Sequence, residues 1–358
     1  MRSINCLLLA ASLASLFATP PSAAATAQRT FVAASGTNNP ACSLVAPCRD
    51  FAAAITATSA GGEIIVLESG GYGPVTIGKT VSIIASTGIY AGISVFSGSG
   101  VTINAPGATV VLRGLSINGQ GGSRGIDIQA AARVRIESCA VSRVAAEGIN
   151  DVAAGSEMVM IDTIVRDNGG SGIVVNASAV LDHVRSENNG VQGLVLSPAS
   201  NATKTTVSDS VFVHNVLNGI IVTAAANIQA WVHVDHSVLS SNGGAGFLEF
   251  ASASNGGAFS MLTGNAIGHN GGSGVSANAD SPGGAWISLA DNAIYDNKGG
   301  LVLQSNGTLG FVTGNKVILN HPHLDLECDV DATVFTTGNN SSGDTIPSDH
   351  CTTRYAGW

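Results

Sequence analysis

A short glycine phrase recurs along most of the chain and constrains its fold more than any other feature. Between residues 125 and 300, eight glycines at spacings of 21 to 28 residues are each followed directly by isoleucine, leucine, valine or phenylalanine. Repeats at such a period are typical of solenoids, in which each unit buries its apolar face only against its neighbours. The eight glycines are Gly125, Gly148, Gly172, Gly193, Gly219, Gly246, Gly274 and Gly300.

An asparagine precedes most of these glycines, and a second apolar segment lies just upstream of it. Because no stretch of the repeats has a helical period, helical solenoids are excluded and leucine-rich repeats are disfavoured. Each unit is predicted to be a strand, a polar corner, an Asn-Gly-rich turn and a second strand. Equivalent polar side chains on adjacent coils, about 4.8 Å apart, can hydrogen-bond as a ladder, which gives the polar rows a structural role. The asparagines are Asn168, Asn189, Asn215, Asn242, Asn270 and Asn297.

Three segments ahead of the repeats are Pro40-Ala41-Cys42, Pro47-Cys48-Arg49-Asp50-Phe51-Ala52-Ala53-Ala54-Ile55 and Ala60-Gly61-Gly62-Glu63-Ile64. With the repeats, they resemble the right-handed parallel β-helix proteins of the pectin lyase-like superfamily, and within it a group of secreted bacterial proteins without assigned activity. The resemblance covers about residues 60–320 and implies a short helix before the first coil. We expect an all-β, right-handed parallel β-helix of about ten to eleven coils over residues 63–320. A cap over residues 28–62 contains the helix, and residues 321–358 form a disulfide-closed tail.

The first residues predict a secretory signal peptide. Arg2 is followed by an apolar run over residues 7–17 and by small residues up to Ala27. This order is typical of a signal peptide over residues 1–27, with cleavage between Ala25 and Ala27. The protein is therefore expected to be secreted or periplasmic, and no other apolar run is long enough to span a membrane.

Secretion permits disulfides, and the cysteines near the two ends suggest two local pairs. We expect Cys42 to pair with Cys48 and Cys328 to pair with Cys351. Cys139 lies within an apolar strand pattern and is interpreted as a buried, free thiol.

The charge of the chain argues against a nucleic-acid partner. The formal net charge is −9, and charged residues make up 11% of the chain. Residues 205–297 contain six acidic residues and no Lys or Arg, whereas arginines are frequent over residues 113–185. Since nucleic-acid binding depends on phosphate contacts with Lys and Arg, this balance excludes it as the main function.

Enzymes of the resembled superfamily cut or epimerise acidic polysaccharides on the outer faces of their sheets. Residues 231–236, Trp-Val-His-Val-Asp-His, are similar to the Trp-Ile-Asp-His phrase of pectate lyases, but the tryptophan is displaced by two positions. The repeat itself accounts for the fragment, because an Asp and a small polar residue recur at this place in other coils. His214 with neighbouring acids is the alternative metal site, but we expect no metal and no cofactor. Ca²⁺ is expected only if the protein is an enzyme of this kind.

A mixed patch over residues 127–185 contains the only catalytic candidates, Asp162, Arg166 and Asp182. Structural pairing of these charges is the favoured interpretation. A separate binding candidate is an apolar stripe on the glycine-phrase strands. Alternate residues of a strand face opposite sides of the sheet. If Ile173 and its equivalents in other coils point inward, the residues that follow them point outward. These are Val174, Val195, Ile221 and Leu248.

The leading functional interpretation is a non-enzymatic surface that binds polysaccharide or a protein partner at the cell envelope. One alternative is a diverged polysaccharide lyase, hydrolase or epimerase. The other is a structural or adhesive module that self-associates.

Overall fold

Three long parallel β-sheets form the protein. A computed structural model describes residues 26–198, 202–252, 256–280, 283–304, 307–321, 325–328, 332–336, 340–342 and 352–355. Within each sheet every strand pairs in parallel with the equivalent strand one coil away. The chain visits the sheets in a fixed order in each coil, which confirms the predicted β-solenoid.

Sheet A has fourteen described strands, sheet B eleven and sheet C twelve. Sheet A consists of Ala27–Val32, Thr58–Val66, Val81–Ala85, Thr109–Arg113, Arg133–Glu137, Glu157–Ile161, Ser178–Asp182, Thr203–Ser208, Gln229–Asp235, Gly257–Thr263, Gly284–Ala290, Thr308–Thr313, Thr333–Thr336 and Thr352–Tyr355. Sheet B, which contains the glycine phrases, consists of Val75–Ile77, Ser99–Asn104, Arg124–Ala130, Ile149–Asp151, Ile173–Val175, Leu194–Leu196, Ile220–Ala224, Phe247–Ala251, Ser273–Ala279, Gly299–Gln304 and Leu326–Cys328. Sheet C consists of Gly70–Gly71, Ala91–Val95, Leu115–Gly119, Ala140–Ser142, Ile164–Arg166, Arg185–Glu187, Val211–Val213, Val238–Ser240, Ala266–Gly268, Ala293–Tyr295, Lys316–Ile318 and Ser341–Ser342.

The residue after each phrase glycine faces the interior of the solenoid. Six of them are consecutive register partners on sheet B, and each is at most 2% exposed. The glycine itself is required by close approach of the next coil. A Cβ on Gly193 would lie 2.5 Å from the carbonyl oxygen of Gly219. The predicted interior column is therefore confirmed: Ile173, Leu194, Ile220, Phe247, Val275 and Leu301.

The predicted asparagine ladder stabilises the turns between sheets C and B. Each side-chain amide donates to the side-chain oxygen of the next asparagine at 2.8–3.0 Å, from Asn168 along the solenoid to Asn320. The same oxygens accept backbone N–H groups of the preceding asparagine. These buried amides are thus satisfied by one another, as burial of polar groups requires.

The N-terminal end contains the expected helix and disulfide. The helix Phe51–Ala57 is capped by Asp50, whose side chain accepts a hydrogen bond from the Ala53 backbone N–H at 2.8 Å. Cys42 and Cys48 form a disulfide. Cys328 is also disulfide-bonded, but its expected partner Cys351 lies outside the described residues, so that pairing stays a prediction.

The sheets extend beyond the boundaries expected from the repeats. The strand Ala27–Val32 pairs with Thr58–Val66, so part of the expected N-terminal cap belongs to sheet A. After residue 320, Leu326–Cys328 and Thr333–Thr336 continue sheets B and A. The glycine phrase is absent at both ends, so the repeat pattern alone did not reveal these strands.

Residues 1–25 lie outside the described part, and the signal peptide remains a prediction. Among the described residues, no helix is long and apolar enough to cross a membrane.

Candidate functional site

The outer face of sheet A changes character along the solenoid axis. In its N-terminal coils the outward residues are charged and paired: Arg133 contacts Glu157 at 2.6 Å, and Arg113 and Arg135 both pair with Glu137. From the strand Gln229–Asp235 onward, the same outward positions carry aromatic and apolar side chains. Since strand residues alternate between faces, these side chains point to solvent while Val232 and Ile287 point inward.

Three aromatic residues form a row that runs across adjacent coils. Trp231, Phe259 and Trp286 are successive register partners. The Trp231 and Phe259 rings stack at 4.1 Å between centroids, and Phe259 meets Trp286 edge-on at 4.4 Å. Both tryptophans are 43% exposed. A row of partly exposed rings is a large, rigid contact surface, because mutual packing limits the freedom of each ring.

Glycines two positions earlier allow these rings to lie against the sheet. A Cβ on Gly257 would lie 2.8 Å from Cε2 of Phe259, and a Cβ on Gly284 would lie 3.4 Å from Nε1 of Trp286. The two rings therefore cover their own strand's backbone where a side chain would otherwise stand. Each glycine thus leaves room for the aromatic ring of its own strand, and the repeat spacing aligns these rings from coil to coil.

A second outward row lies beside the first and completes a groove. Its members His233, Met261, Ser288 and Phe311 are successive register partners, and Phe311 stacks on Phe335 at 4.9 Å. The groove between the rows has a volume of about 410 Å³. It crosses five strands, from Thr203–Ser208 to Thr308–Thr313, and so extends about 19 Å along the axis at a strand spacing of about 4.8 Å.

Few charges face this groove. Among its lining residues, Lys204 at one end is the only one with a permanent positive charge, and none is acidic. The next outward position contains Asp235, whose carboxylate lies 2.9 Å from Nδ1 of His236. The walls are apolar, and Thr206 and Ser288 provide hydroxyl groups, a combination typical of sites that orient small polar groups on an apolar base.

The sequence patterns did not indicate this groove. Trp231 and His233 stand in the sequence within a phrase similar to that of pectate lyases, whereas the structure places both in the groove. The signal was present, because Trp231, Phe259 and Trp286 are separated by 28 and 27 residues, within the range of the glycine-phrase spacings.

The catalytic candidates lie elsewhere: Asp162 and Asp182 at the corner between sheets A and C, and Arg166 at the opposite end of a sheet C strand. Asp182 ends a strand of sheet A, and Asp162 is an exposed residue one coil away with a φ of 50°. Arg166 belongs to sheet C, and its guanidinium contacts the carboxylate of the adjacent Asp167 at 2.6 Å. The structure therefore pairs Arg166 with its own neighbour.

The same corner contains the described residues best suited to hold a metal ion. Ligand atoms of Asp182, His183 and Asp209 lie within 4.8 Å of one another. The imidazole of His183 is 2.9 Å from Asp182, and this hydrogen bond, with the charges of Asp182, Asp209 and Asp162, raises the pKa of His183. The three side chains are exposed or half-exposed and partly satisfied by one another. His214, the earlier alternative, does not belong to this group.

The expected apolar stripe exists as a continuous row on sheet B. Val174, Val195, Ile221 and Leu248 are successive register partners, as expected. All four are half-buried rather than fully exposed. The stripe therefore presents less apolar surface than the alternation alone suggested, and its role in association stays a prediction.

Two further features concern the interior. The thiol of Cys139 is 2% exposed, and burial raises its pKa to about 11. Glu249 faces inward behind the groove and is fully buried, and burial raises its pKa to about 8.

Comparison with known proteins agrees with this architecture. A family model for the right-handed β-helix region matches residues 62–197 and, in an overlapping match, residues 92–230. The chain superposes on the A-module of mannuronan C-5 epimerase AlgE4 from Azotobacter vinelandii with a TM-score of 0.60 and 17% identity, covering 82% of this chain and 91% of that one. For the AlgE6 A-module of the same organism the TM-score is 0.50 and the identity 19%, with 83% and 91% covered.

A third similar structure is tailspike protein 2 of an Escherichia coli O157:H7 bacteriophage. Its TM-score is 0.60 at 13% identity, and the match covers 78% of this chain but 44% of the tailspike. No functionally curated protein matches the sequence. At such low identities the likeness concerns the fold alone. Sheet topology, repeat pattern and family-model match together show that the chain folds as a right-handed parallel β-helix.

Proposed function

We propose that this protein is a secreted or periplasmic, non-enzymatic protein that binds a polysaccharide in the groove on sheet A. The observation that carries the proposal is the row of Trp231, Phe259 and Trp286, aligned along the solenoid axis and partly exposed. Sugar rings have apolar C–H faces and hydroxyl-bearing edges, so aromatic side chains beside hydroxyl groups match their chemistry. A groove that runs across coils suits a linear polymer, because each coil offers an equivalent position along it.

The site geometry favours binding over cleavage. Among the lining residues there is no carboxylate, and the single lysine stands at the end of the groove. General acid–base catalysis needs a proton donor or acceptor within about 3 Å of the reacting group. His233 carries the only imidazole among the lining residues, and it has no carboxylate partner among the described ion pairs.

The enzymatic alternative is supported by fold similarity, because two of the similar structures are mannuronan C-5 epimerases. For this chain it would require Asp162, Arg166 and Asp182 to act together, and Arg166 contacts Asp167 instead. The self-associating alternative would use the half-buried stripe on sheet B. Neither alternative uses the aromatic groove, so variants of the groove separate the proposal from both.

The test is polysaccharide binding by the mature protein and by groove variants. Trp231→Ala and Trp286→Ala are each expected to weaken binding, while Phe96→Ala is not. Phe96 is a suitable control because it is an exposed aromatic residue, 72% exposed, outside the groove. Circular dichroism should show that all three variants retain the β-solenoid.

Binding can be followed by tryptophan fluorescence, since two of the chain's three tryptophans line the groove. If soluble polysaccharides leave this fluorescence unchanged, or if Phe96→Ala weakens binding as much as Trp286→Ala, the proposed site is wrong.

A further inference from the structure

We infer that the polymer bound in the sheet A groove is a neutral polysaccharide, and not a polyuronate or another polyanion. This inference rests on the proposed function and names the class of its ligand. It follows from the distribution of charge around the groove.

The groove lacks the cations that a polyanion requires. A linear polyanion presents negative charge at every repeat, so its binding site needs positive charge along its length. Lys204 lies at one end of the groove, and the positions that follow it in the same row are Trp231, Phe259 and Trp286. One cation on one of five strands cannot neutralise a chain that crosses all of them.

The segment that forms most of the groove adds no cation. Residues 205–297 contain no Lys or Arg, and Asp235 belongs to a strand whose other residues form part of the groove. The whole chain has a formal net charge of −9. Repulsion between like charges slows the association of a polyanion and weakens its binding. This repulsion acts over a Debye length of about 10 Å at moderate salt.

Positive residues further along the same face are already engaged in ion pairs. Arg133 contacts Glu157 at 2.6 Å, three strands away from Lys204, and Arg135 pairs with Glu137. Extending a polyanion from the groove toward the N-terminal coils would therefore place it against ion pairs rather than free cations.

The lining itself fits a neutral sugar chain. Apolar and aromatic side chains provide most of the walls, and Thr206, Ser288 and His233 provide hydrogen-bonding groups that need no counter-charge. Binding by such a surface depends on apolar contact and neutral hydrogen bonds. It should therefore be nearly independent of salt, unlike binding to a charged polymer.

The experiment is native affinity electrophoresis of the mature protein in paired gels. One set contains neutral polysaccharides, namely β-glucan, galactomannan or xylan, and the other contains alginate, pectate or hyaluronan, each at low and high salt. Retardation is expected in at least one neutral gel, to the same extent at both salt concentrations. Trp286→Ala should weaken it at least about tenfold, as loss of an anchoring aromatic residue does, while Trp286→Phe should retain most of it.

Two other outcomes would overturn the inference in distinguishable ways. Retardation only in acidic gels, weakened by salt and by Lys204→Ala, would refute the neutral class but keep the groove as a polysaccharide site. Absence of retardation in every gel, for a protein whose circular dichroism shows an intact solenoid, would refute the proposed function as well.

Discussion

Replacing Glu249 should make the solenoid more stable, and the gain should grow with pH. Glu249 lies in a second interior column of sheet B, between Val222 and Ala277, and is 0% exposed. Among the described residues, neither carboxylate oxygen makes a hydrogen bond of normal geometry, and the nearby Ser260 hydroxyl and Trp286 backbone N–H only partly oppose the effect of burial on its pKa. Burial raises the pKa of Glu249 to about 8, so the folded protein keeps this carboxyl protonated at neutral pH.

The pKa shift sets the size and sign of the effect. The unfolded chain ionises Glu249 above about pH 4.5, whereas the folded protein does so only near pH 8. The contribution of this group to stability is therefore complete below about pH 4.5 and is lost as the pH rises toward 8. Each pH unit in that window lowers the free energy of unfolding by about 1.4 kcal/mol. The total loss is roughly 3 kcal/mol at pH 7 and roughly 5 kcal/mol at pH 8.

Two variants separate the charge from the polarity of this side chain. Glu249→Gln removes the titration but leaves an amide without partners, at a cost of about 1–3 kcal/mol. Glu249→Val removes both, and valine already occupies the same position one coil earlier, at Val222. The thermal midpoints of the wild type and both variants should therefore diverge between about pH 5 and pH 8, with the valine variant the most stable.

The control is Glu157→Gln, a partly exposed glutamate on sheet A that pairs with Arg133. The thermal midpoint of Glu157→Gln should not rise relative to that of the wild type as the pH increases. Comparing each variant with the wild type at the same pH cancels the titration of all other groups. If the difference between Glu249→Gln and the wild type is the same at about pH 5 and about pH 8, the reasoning about a buried neutral carboxyl is wrong.

Three other predictions follow from the interior and the corners. Asn242→Ala should lower the thermal midpoint measurably, because it leaves the buried backbone N–H of Asn215 without its acceptor, at about 1–3 kcal/mol, and removes one of the two acceptors of the Asn215 side-chain amide. Cys139 should not react with a thiol reagent such as dithionitrobenzoate until the protein is unfolded, because its thiol is buried and its pKa is raised to about 11. Reducing-end and unsaturated-uronate assays on pectate, alginate and hyaluronan, with and without Ca²⁺, should show no cleavage, whereas turnover that Arg166→Ala or Asp182→Ala abolishes would contradict the non-enzymatic account.

The sequence predicts the solenoid because its fold is repetitive. A glycine at each close approach of neighbouring coils and an asparagine at each turn are local requirements that recur once per coil. Gly193 and Asn215 illustrate both, since one avoids a clash with the next coil and the other continues a hydrogen-bonded ladder. Such requirements produce a periodic pattern. The pattern can be recognised in a single sequence even when it is not known which residues contact one another.

The candidate site produces a weaker pattern in the sequence. Trp231, Phe259 and Trp286 share the period of the repeat, but outward positions are not constrained by packing, and the neighbour in the preceding coil is the charged Lys204. Their alignment became meaningful only once the register of sheet A was known. Glu249 was not recognised either, although the alternation that places Phe247 inward also places Glu249 inward. Glutamate is ordinarily a surface residue, but the strand register places this one inside.

The most direct test of the central claim is a crystal structure of the protein soaked with neutral oligosaccharides of the polymer retained in affinity gels. The account predicts a sugar chain along the groove of sheet A, parallel to the solenoid axis, with its rings against Trp231, Phe259 and Trp286 and its hydroxyls near Thr206 and Ser288. A sugar chain on the outer face of sheet B, or at the corner that contains Asp182 and His183, would contradict it.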